Sequence, residues 1–440
     1  MDNKKDIKFF PIFMGATLGV ILEIIATLVD EVVVGMLFAD DIFAAVNLIT
    51  PYTLFETFIA YLASTAGAAL IMRAQGARDQ KKMSELFSQT VIVCGICGIV
   101  LTLLYVVFTP QLVRFVADDP SVYNYALDYF EIMRFYPLLD AFDTFMFAYV
   151  LYRGGYINFY IAIVCRIVIN TSLSWLLGSK IGLKGVGLAS IISLLAALSI
   201  KLVFLLNTKH GLKFKWYFNP REILEVAKLG LPESAISLFV VIMEFLLNNI
   251  TLTGFGAAGV AAVSVVINIF EFTFYLSEGI SEYEIVSVND SIGKNSAKSM
   301  DHAIKQTLRA ALIEGVVLFG IIFLASGVLP EAFDIDNAKT ASQAATMLVI
   351  FSPAAIFICL TRVTAMFYQY TRRLPRTFIL LGMATALLPA LFGMLFGKIS
   401  LIGIGVGIAL GPIAAILLMY VYVHFIKKEK MFDYSIMHLN

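Results

Sequence analysis

The sequence predicts an all-α integral membrane protein with twelve transmembrane helices in two pseudo-symmetric six-helix lobes. Three observations predict it: an apolar composition, twelve apolar runs of membrane-spanning length, and basic residues concentrated in alternate connections. Apolar residues make up 60% of the 440 and charged ones only 15%, with a mean hydropathy of +0.86. Soluble domains carry about 25% charge. Lys plus Arg and Asp plus Glu balance at 32 each, which excludes a strongly basic nucleic-acid surface as the organising theme.

A bilayer core takes about 20 apolar helical residues to cross. By that measure the spans are 11–36, 43–72, 86–109, 122–149, 156–178, 185–207, 224–252, 258–286, 305–329, 340–369, 376–397 and 402–425. The first follows Lys4, Lys5 and Lys8 like the apolar stretch of a signal peptide, but it is too long and no small-residue cleavage site follows it. It is read as a retained span. Cytoplasmic connections are enriched in Lys and Arg, and one alternate set holds nearly all of them: Lys4 to Lys8, Arg73 to Lys82, Arg153, Lys209 to Arg221, Lys294 to Arg309, Arg372 to Arg376 and Lys427 to Lys430. The other set holds Arg114, Lys180, Lys184, Lys339 and Lys398 beside acids such as Asp40, Asp118 and Glu331. The count is therefore even, with both termini cytoplasmic.

The long basic connection near the midpoint divides the chain into 1–210 and 211–440, six spans each. A shift of 217 positions superposes Ala44, Ala45, Val46, Ser64, Gly76, Lys81 and Thr90 on Ala261, Ala262, Val263, Ser281, Gly293, Lys298 and Thr307 without a gap. Six spans per half give both copies the same membrane orientation, so the repeat is parallel and its substrate cavity is expected between the halves.

These positions also carry a resemblance. Asp30 with Gly35, Ala44-Ala45-Val46, Gly67 through Gly76, Asn170 with Gly182 to Ala189, Gly230-Leu231-Pro232, Gly259-Val260-Ala261-Ala262, Gly279-Ile280 and Gly293 occur in the order and at the helix positions of one family. The chain resembles the multidrug and toxic compound extrusion (MATE) family of secondary transporters. The resemblance implies exchange of H+ or Na+ for an outgoing compound, usually cationic and amphipathic. It also implies a multi-pass plasma (inner) membrane protein, a monomer, with small-molecule substrates, no cofactor and no metal.

Intramembrane charges are rare and mark function by default, at a cost of roughly 2.5–3.5 kcal/mol each on insertion scales. Asp30 lies roughly 9 Å below the outer end of the first span at 1.5 Å per residue, and Asn170 lies at a comparable depth in the fifth. The resemblance makes both ion-coupling positions, where desolvation lets a carboxylate load and release a proton. The family's aspartate four residues beyond this asparagine is Ser174 here. H+ is favoured over Na+ as the coupling ion. Glu23, two turns from Asp30 on a shared face, is a third coupling candidate, to bind a substrate cation or pass on the proton.

Asp140 and Arg166 come out at one depth in spans four and five and read as a structural ion pair, with Asp143 as the alternative partner. Glu131 and Arg134, three apart, can pair within their own helix. Glu244 and Glu271 fall near the midplane of spans seven and eight with Asn248 and Asn249 a turn away, so Glu244, Glu271 and Asn248 are the substrate-binding candidates. The family's sodium site in the second lobe pairs a glutamate of span seven with acids of span ten. Here span ten carries only Arg362, a possible partner of Glu278. Glu282, Glu284 and Asp290 read as a solvated loop edge. Tyr52, Phe55, Tyr149, Tyr275 and Tyr368 are aromatics able to stack on a flat cation.

Cys94, Cys97, Cys165 and Cys359 lie in apolar runs and suit packing better than metal or redox chemistry. No Gly-Lys-Ser/Thr nucleotide loop is present, and the four histidines are scattered, which argues against an ATPase and against an interfacial metalloenzyme. The alternative within the fold is a flippase or exporter of a lipid-linked or metabolite substrate, for which an arginine-lined cavity is expected.

Overall fold

The structure, a computed structural model, describes residues 9–38, 45–46, 48–117, 120–206, 212–333, 335 and 337–434, excepting the side chains of 23–24, 26–32, 50, 54, 63 and 120–121. Every regular element among them is helical, as it must be where lipid offers the backbone no hydrogen-bond partner.

The first compact unit is residues 1–234. It holds α1 (Phe9–Leu37), α2 (Thr50–Gly76), α3 (Gln80–Val116), α4 (Pro120–Met133), α5 (Tyr136–Tyr152), α6 (Tyr156–Ile181), α7 (Leu183–Leu206) and the first turns of α8 (Pro220–Leu276). Pro51 and Pro137 sit in first turns, where a missing N–H costs nothing. Pro137 also explains why the fourth span is two helices. In a continuous helix its ring would strike the carbonyl of Met133, and α4 ends at that residue. The start of α8 lies directly on α2, because a Cβ at Gly230 would overlap the Leu62 carbonyl, and the Thr65 hydroxyl donates to Glu233 at 3.2 Å.

The second unit is residues 235–440. The helical run of α8 is broken at Gly256, whose φ of 69° is a left-handed value that glycine adopts freely. Then come α9 (Glu278–Gly293), α10 (Ala297–Ala325), α11 (Leu329–Ala332), α12 (Ala338–Phe351), α13 (Ala354–Tyr370), α14 (Leu374–Gly382), α15 (Leu388–Gly397) and α16 (Leu401–Val421). The tenth span bends by 51° between α12 and α13, at Ser352-Pro353. A π-helical turn, Met383–Leu387, joins α14 to α15 just before Pro389. The wider turn relieves the clash that Pro389 would make four residues back. α15 and α16 meet along a glycine seam in which Gly403, Gly407 and Gly411 abut Phe396, Gly393 and Pro389 at backbone distance. Such close approach is how helices associate where lipid removes the hydrophobic drive.

The 217-residue repeat is visible in backbone geometry. α2 ends at Gly76 and α9 at Gly293, and Arg78 and Asn295 then take left-handed φ of 59° and 49°. The amides of Asp79 and Ser296 reach back to the carbonyls of Ala74 and Ser291 at 3.0 and 3.1 Å, the 6→1 bond of a Schellman stop. Asp79 and Ser296 then cap α3 and α10 through their side chains. The stops of α5 and α13 repeat the pattern one residue out of step, with Gly154 and Arg372 in the left-handed position.

Among the described residues, eight helices are long and apolar enough to cross a membrane, or nine with α12 and α13 as one bent span. Dividing Pro220–Gly293 at Gly256, and adding α1 and the broken α4–α5 pair, gives each of the twelve sequence spans a helix. The four cysteines are free thiols, with Cys94 and Cys359 buried.

Candidate functional site

α1 and α6 lie side by side and run in the same direction. Gly19 packs on Phe159 near the start of α6, and Gly178 near its end packs on Leu37 at the end of α1. Position 30 of the α1 backbone therefore falls on the stretch of α6 that holds Asn170 and Ser174, both buried. The side chains of Glu23 and Asp30 lie outside the described residues.

A buried charge cluster occupies the same unit. Beyond the Pro137 break, Tyr136, Asp140 and Asp143 recur at i, i+4 and i+7 on one face of α5. The Asp143 carboxylate accepts from Lys201 of α7 at 2.8 Å and lies 3.8 Å from Arg166 of α6. Arg166 also donates to the Tyr136 hydroxyl at 2.7 Å. Asp143, named in the sequence reading as the alternative partner of Arg166, thus meets two cations. Glu56 of α2, 5% exposed, feels the charge of Asp140, and among the described residues one of its buried carboxylate oxygens meets no hydrogen-bond donor. Sequence reasoning missed Lys201 and Glu56, although both are charges inside apolar spans and fall under the rule that singled out Asp30.

In the second unit the three substrate-binding candidates come together. Asn248 lies one turn beyond Glu244 and donates to it at 3.4 Å, and Glu244 and Glu271 act on each other electrostatically. All three side chains are half-buried. A pocket of about 240 Å³ opens beside Asn248, at the Gly256 break, lined also by Asn249, Leu252, Ala257 and Val260. One turn beyond Glu271 the half-exposed Tyr275 feels the charges of Glu271, Glu278 and Arg362. Among the described residues no group of three or more His, Cys, Asp or Glu is placed to hold a metal ion.

Three expectations need correction. Glu282, Glu284 and Asp290 are not at a solvated loop edge: all are buried, at 1%, 1% and 5% exposure, because α9 continues to Gly293 and packs on α10 and α13. Glu131 does not pair with Arg134. The helix stops at Met133, so Arg134 turns to Thr109 and the ring of Phe135, while Glu131 meets Lys184 at 3.1 Å. Tyr149 and Tyr368 are core residues rather than aromatics open to a ligand: Tyr149 packs on Phe87, and the Tyr368 hydroxyl meets the sulfur of Met431.

The MatE family model matches residues 16–176 and again 234–395, two copies at nearly the spacing of the structural repeat. The probable multidrug resistance protein YoeA of Bacillus subtilis is 25% identical over 442 residues, covering 93% of this chain and 91% of that protein. The multidrug export protein MepA of Staphylococcus saprophyticus is 21% identical over 331 residues, covering 73% and 72%. Among solved structures, an outward-facing multidrug resistance MATE family transporter superposes with a TM-score of 0.86 at 18% identity, over 96% of this chain and 95% of that one. A transporter of the MOP superfamily from Pyrococcus furiosus superposes equally well, with the same identity and coverage. These likenesses give the fold, two lobes of six helices.

Proposed function

The chain belongs to the MatE (multidrug and toxic compound extrusion) family, and on that premise we propose that it is a secondary active antiporter. It exports organic, cationic and amphipathic compounds across the plasma membrane in exchange for H+, by alternating access, with both termini cytoplasmic. The names of the two relatives, one a probable multidrug resistance protein and the other a multidrug export protein, support the direction and breadth of transport. The observation that carries the substrate assignment is the half-buried pair Glu244 and Glu271 with Asn248 between helix turns and a pocket alongside. Two carboxylates that repel each other are relieved by one cation, and the apolar wall of Leu252, Ala257 and Val260 suits its hydrocarbon part.

Coupling is assigned to Asp30 with Asn170, and Glu23 beside them. A proton on Asp30 neutralises the charge that the low-dielectric interior penalises, and its release favours the other conformation by whatever differential affinity the two states have for it. Arg166 and Lys201, the cations that a flippase would turn toward a phosphate, both meet Asp143, which favours the exporter.

The test of the substrate site is uptake of a fluorescent organic cation into everted vesicles for wild type, Glu244→Gln, Glu271→Gln and the double variant. Each single change is expected to raise KM about tenfold or more, the worth of about 1.4 kcal/mol. Wild-type KM in the double variant would reject the site. Failure of wild type to move any organic cation would reject the exporter in favour of a lipid-linked or metabolite substrate.

A further inference from the structure

The connection between the sixth and seventh spans carries aromatic side chains that its own lobe leaves uncovered. Residues 212–219 are non-helical and lie between the end of α7 at Leu206 and the start of α8 at Pro220. Phe214, Trp216 and Phe218 are 47%, 87% and 56% exposed, while Tyr217 and Asn219 are half-buried. The rings of Phe214 and Trp216 meet edge to face at 5.7 Å, which puts both side chains on one side of the backbone. The segment itself is fastened to the lobe. The amide of Lys215 donates to the buried Ser88 hydroxyl of α3 at 2.8 Å, and the Tyr217 hydroxyl donates to Glu222 at 2.8 Å. Lys82, in the first turn of α3, pairs with the same carboxylate at 2.7 Å and lies over the Tyr217 ring at 5.6 Å. The aromatics are thus presented outward by a tethered backbone.

The repeat shows that this exposure belongs to the first lobe alone. A shift of 217 positions takes 213–217 to 430–434, the stretch that follows the last helical turn of the second lobe. There the corresponding side chains turn back on their own lobe. The Phe432 ring packs on Phe367 at 5.1 Å, the Tyr368 hydroxyl meets the sulfur of Met431 at 3.2 Å, and Asp433 meets Arg373 at 3.2 Å. The second lobe covers its stretch by itself, whereas the first leaves its aromatics to another occupant.

Position and charge identify that occupant. Non-helical backbone facing lipid is excluded from the hydrocarbon core, yet apolar spans end and begin within a few residues on either side, so the segment borders the bilayer at the level where amphipathic aromatic rings settle. From Asn207 to Arg221 the chain carries Lys209, His210, Lys213, Lys215 and Arg221 and no acid. Lys213 and Lys215 are exposed, and among the described residues neither ammonium is in an ion pair. A basic stretch at the membrane surface attracts anionic headgroups. We propose that residues 213–218 are a docking surface for anionic phospholipid: Phe214, Trp216 and Phe218 enter the interfacial layer of the leaflet they border, and Lys213 and Lys215 meet the headgroup phosphates. The surface anchors that end of the first lobe in the leaflet, and it stands whatever the cargo or the coupling ion.

The test reads Trp216 directly. Trp175 and Trp216 are the two tryptophans of the chain, so Trp175→Phe leaves one indole to follow. The purified full chain is reconstituted in liposomes of phosphatidylcholine with phosphatidylglycerol as the minority lipid, and bromine quenchers are placed on the acyl chains of one lipid or the other. Trp216 emission is expected to be quenched by both and, per brominated molecule, about twofold or more by phosphatidylglycerol, since each lysine at an anionic surface is worth about fivefold in affinity. Lys213→Gln combined with Lys215→Gln should equalise the two lipids, and raised salt should weaken the preference in the parent. Should Trp175→Phe not fold, the difference between wild type and Trp216→Phe gives the same comparison. Equal quenching by the two brominated lipids, or a preference that survives loss of both lysines, overturns the proposal. So does a Trp216 untouched by bromine and as open to aqueous acrylamide as free tryptophan, the result expected of a face that receives a soluble protein. None of these readings requires transport, so failure of the exporter reading and failure of the lipid assignment are separate results.

Discussion

Removing the Asp143 carboxylate should cost far more than removing the Lys201 ammonium, although the two form one ion pair. The side chains are 6% and 3% exposed and 2.8 Å apart. Breaking a buried pair by deleting one partner costs about 3–5 kcal/mol, because the other charge is left uncompensated. Asp143→Asn leaves Lys201, which among the described residues also lies over the ring of Phe147 at 5.6 Å, without its carboxylate, and also deprives Arg166 of a neighbour; it should cost the full amount. Lys201→Met leaves Asp143 with Arg166 at 3.8 Å and should cost about 1–3 kcal/mol. Asp143→Asn combined with Lys201→Met should recover most of the loss, since apolar replacement of a whole buried pair is often neutral. An unfolding entropy of about 2 cal/mol/K per residue gives roughly one degree of Tm per kcal/mol for a chain of this length. Thermal unfolding in detergent should therefore show Asp143→Asn lower by about 3–5 °C. Equal losses for the two single variants, or a double variant below both, would refute the reasoning.

Two further outcomes follow from packing and from charge. Gly407→Ala puts a Cβ into the Gly393 backbone across the α15–α16 seam and should destabilise by about 1–3 kcal/mol or more, whereas Gly320→Ala, with nothing within 4 Å of its Cβ, should gain up to about 1 kcal/mol of helix propensity in the same melt; equal effects would contradict the seam. Glu429, beyond the last span, accepts from Arg376 at 2.8 Å, and this bond, against slight burial, holds its carboxyl below the usual range. Such a depressed group contributes stability present above its unfolded pKa and lost as pH falls through its folded one, so docking of residues 429–433, worth about 0.5–1 kcal/mol, should persist at neutral pH and loosen below about pH 4. Hydrogen exchange of those amides reads it, and protection unchanged at pH 3 would contradict it.

The twelve helices were legible because lipid imposes one length and one backbone solution on every crossing, and hydropathy reads both. Their interruptions were written in the chain but not drawn from it: Pro137 and Pro353 each forbid the continuous helix that an apolar count of 122–149 or 340–369 assumes. The repeat was legible at Gly76 and Gly293, and the left-handed Arg78 and Asn295 give it a geometric basis that residue identity does not carry. In the candidate site, Glu244, Asn248 and Glu271 are spaced by whole helical turns or near the midplane, so depth alone groups them. Glu284 was misplaced because depth was measured from the end of hydropathy at 286, while the helix runs to Gly293. Lys201 and Glu56 are single charges in otherwise apolar runs, and which acid or cation each meets is set by the contacts among α2, α5, α6 and α7, which periodicity within one helix does not contain.

The central claim, that proton movement through this chain drives export of an organic cation, is tested most directly in everted vesicles under separately imposed proton and sodium gradients, with wild type and Asp30→Asn measured side by side. The account predicts accumulation of the cation driven by the proton gradient in wild type, little response to the sodium gradient, and loss of the gradient-driven component in Asp30→Asn. Undiminished proton-driven accumulation in Asp30→Asn would remove Asp30 from coupling, and accumulation driven by sodium alone would contradict the claim.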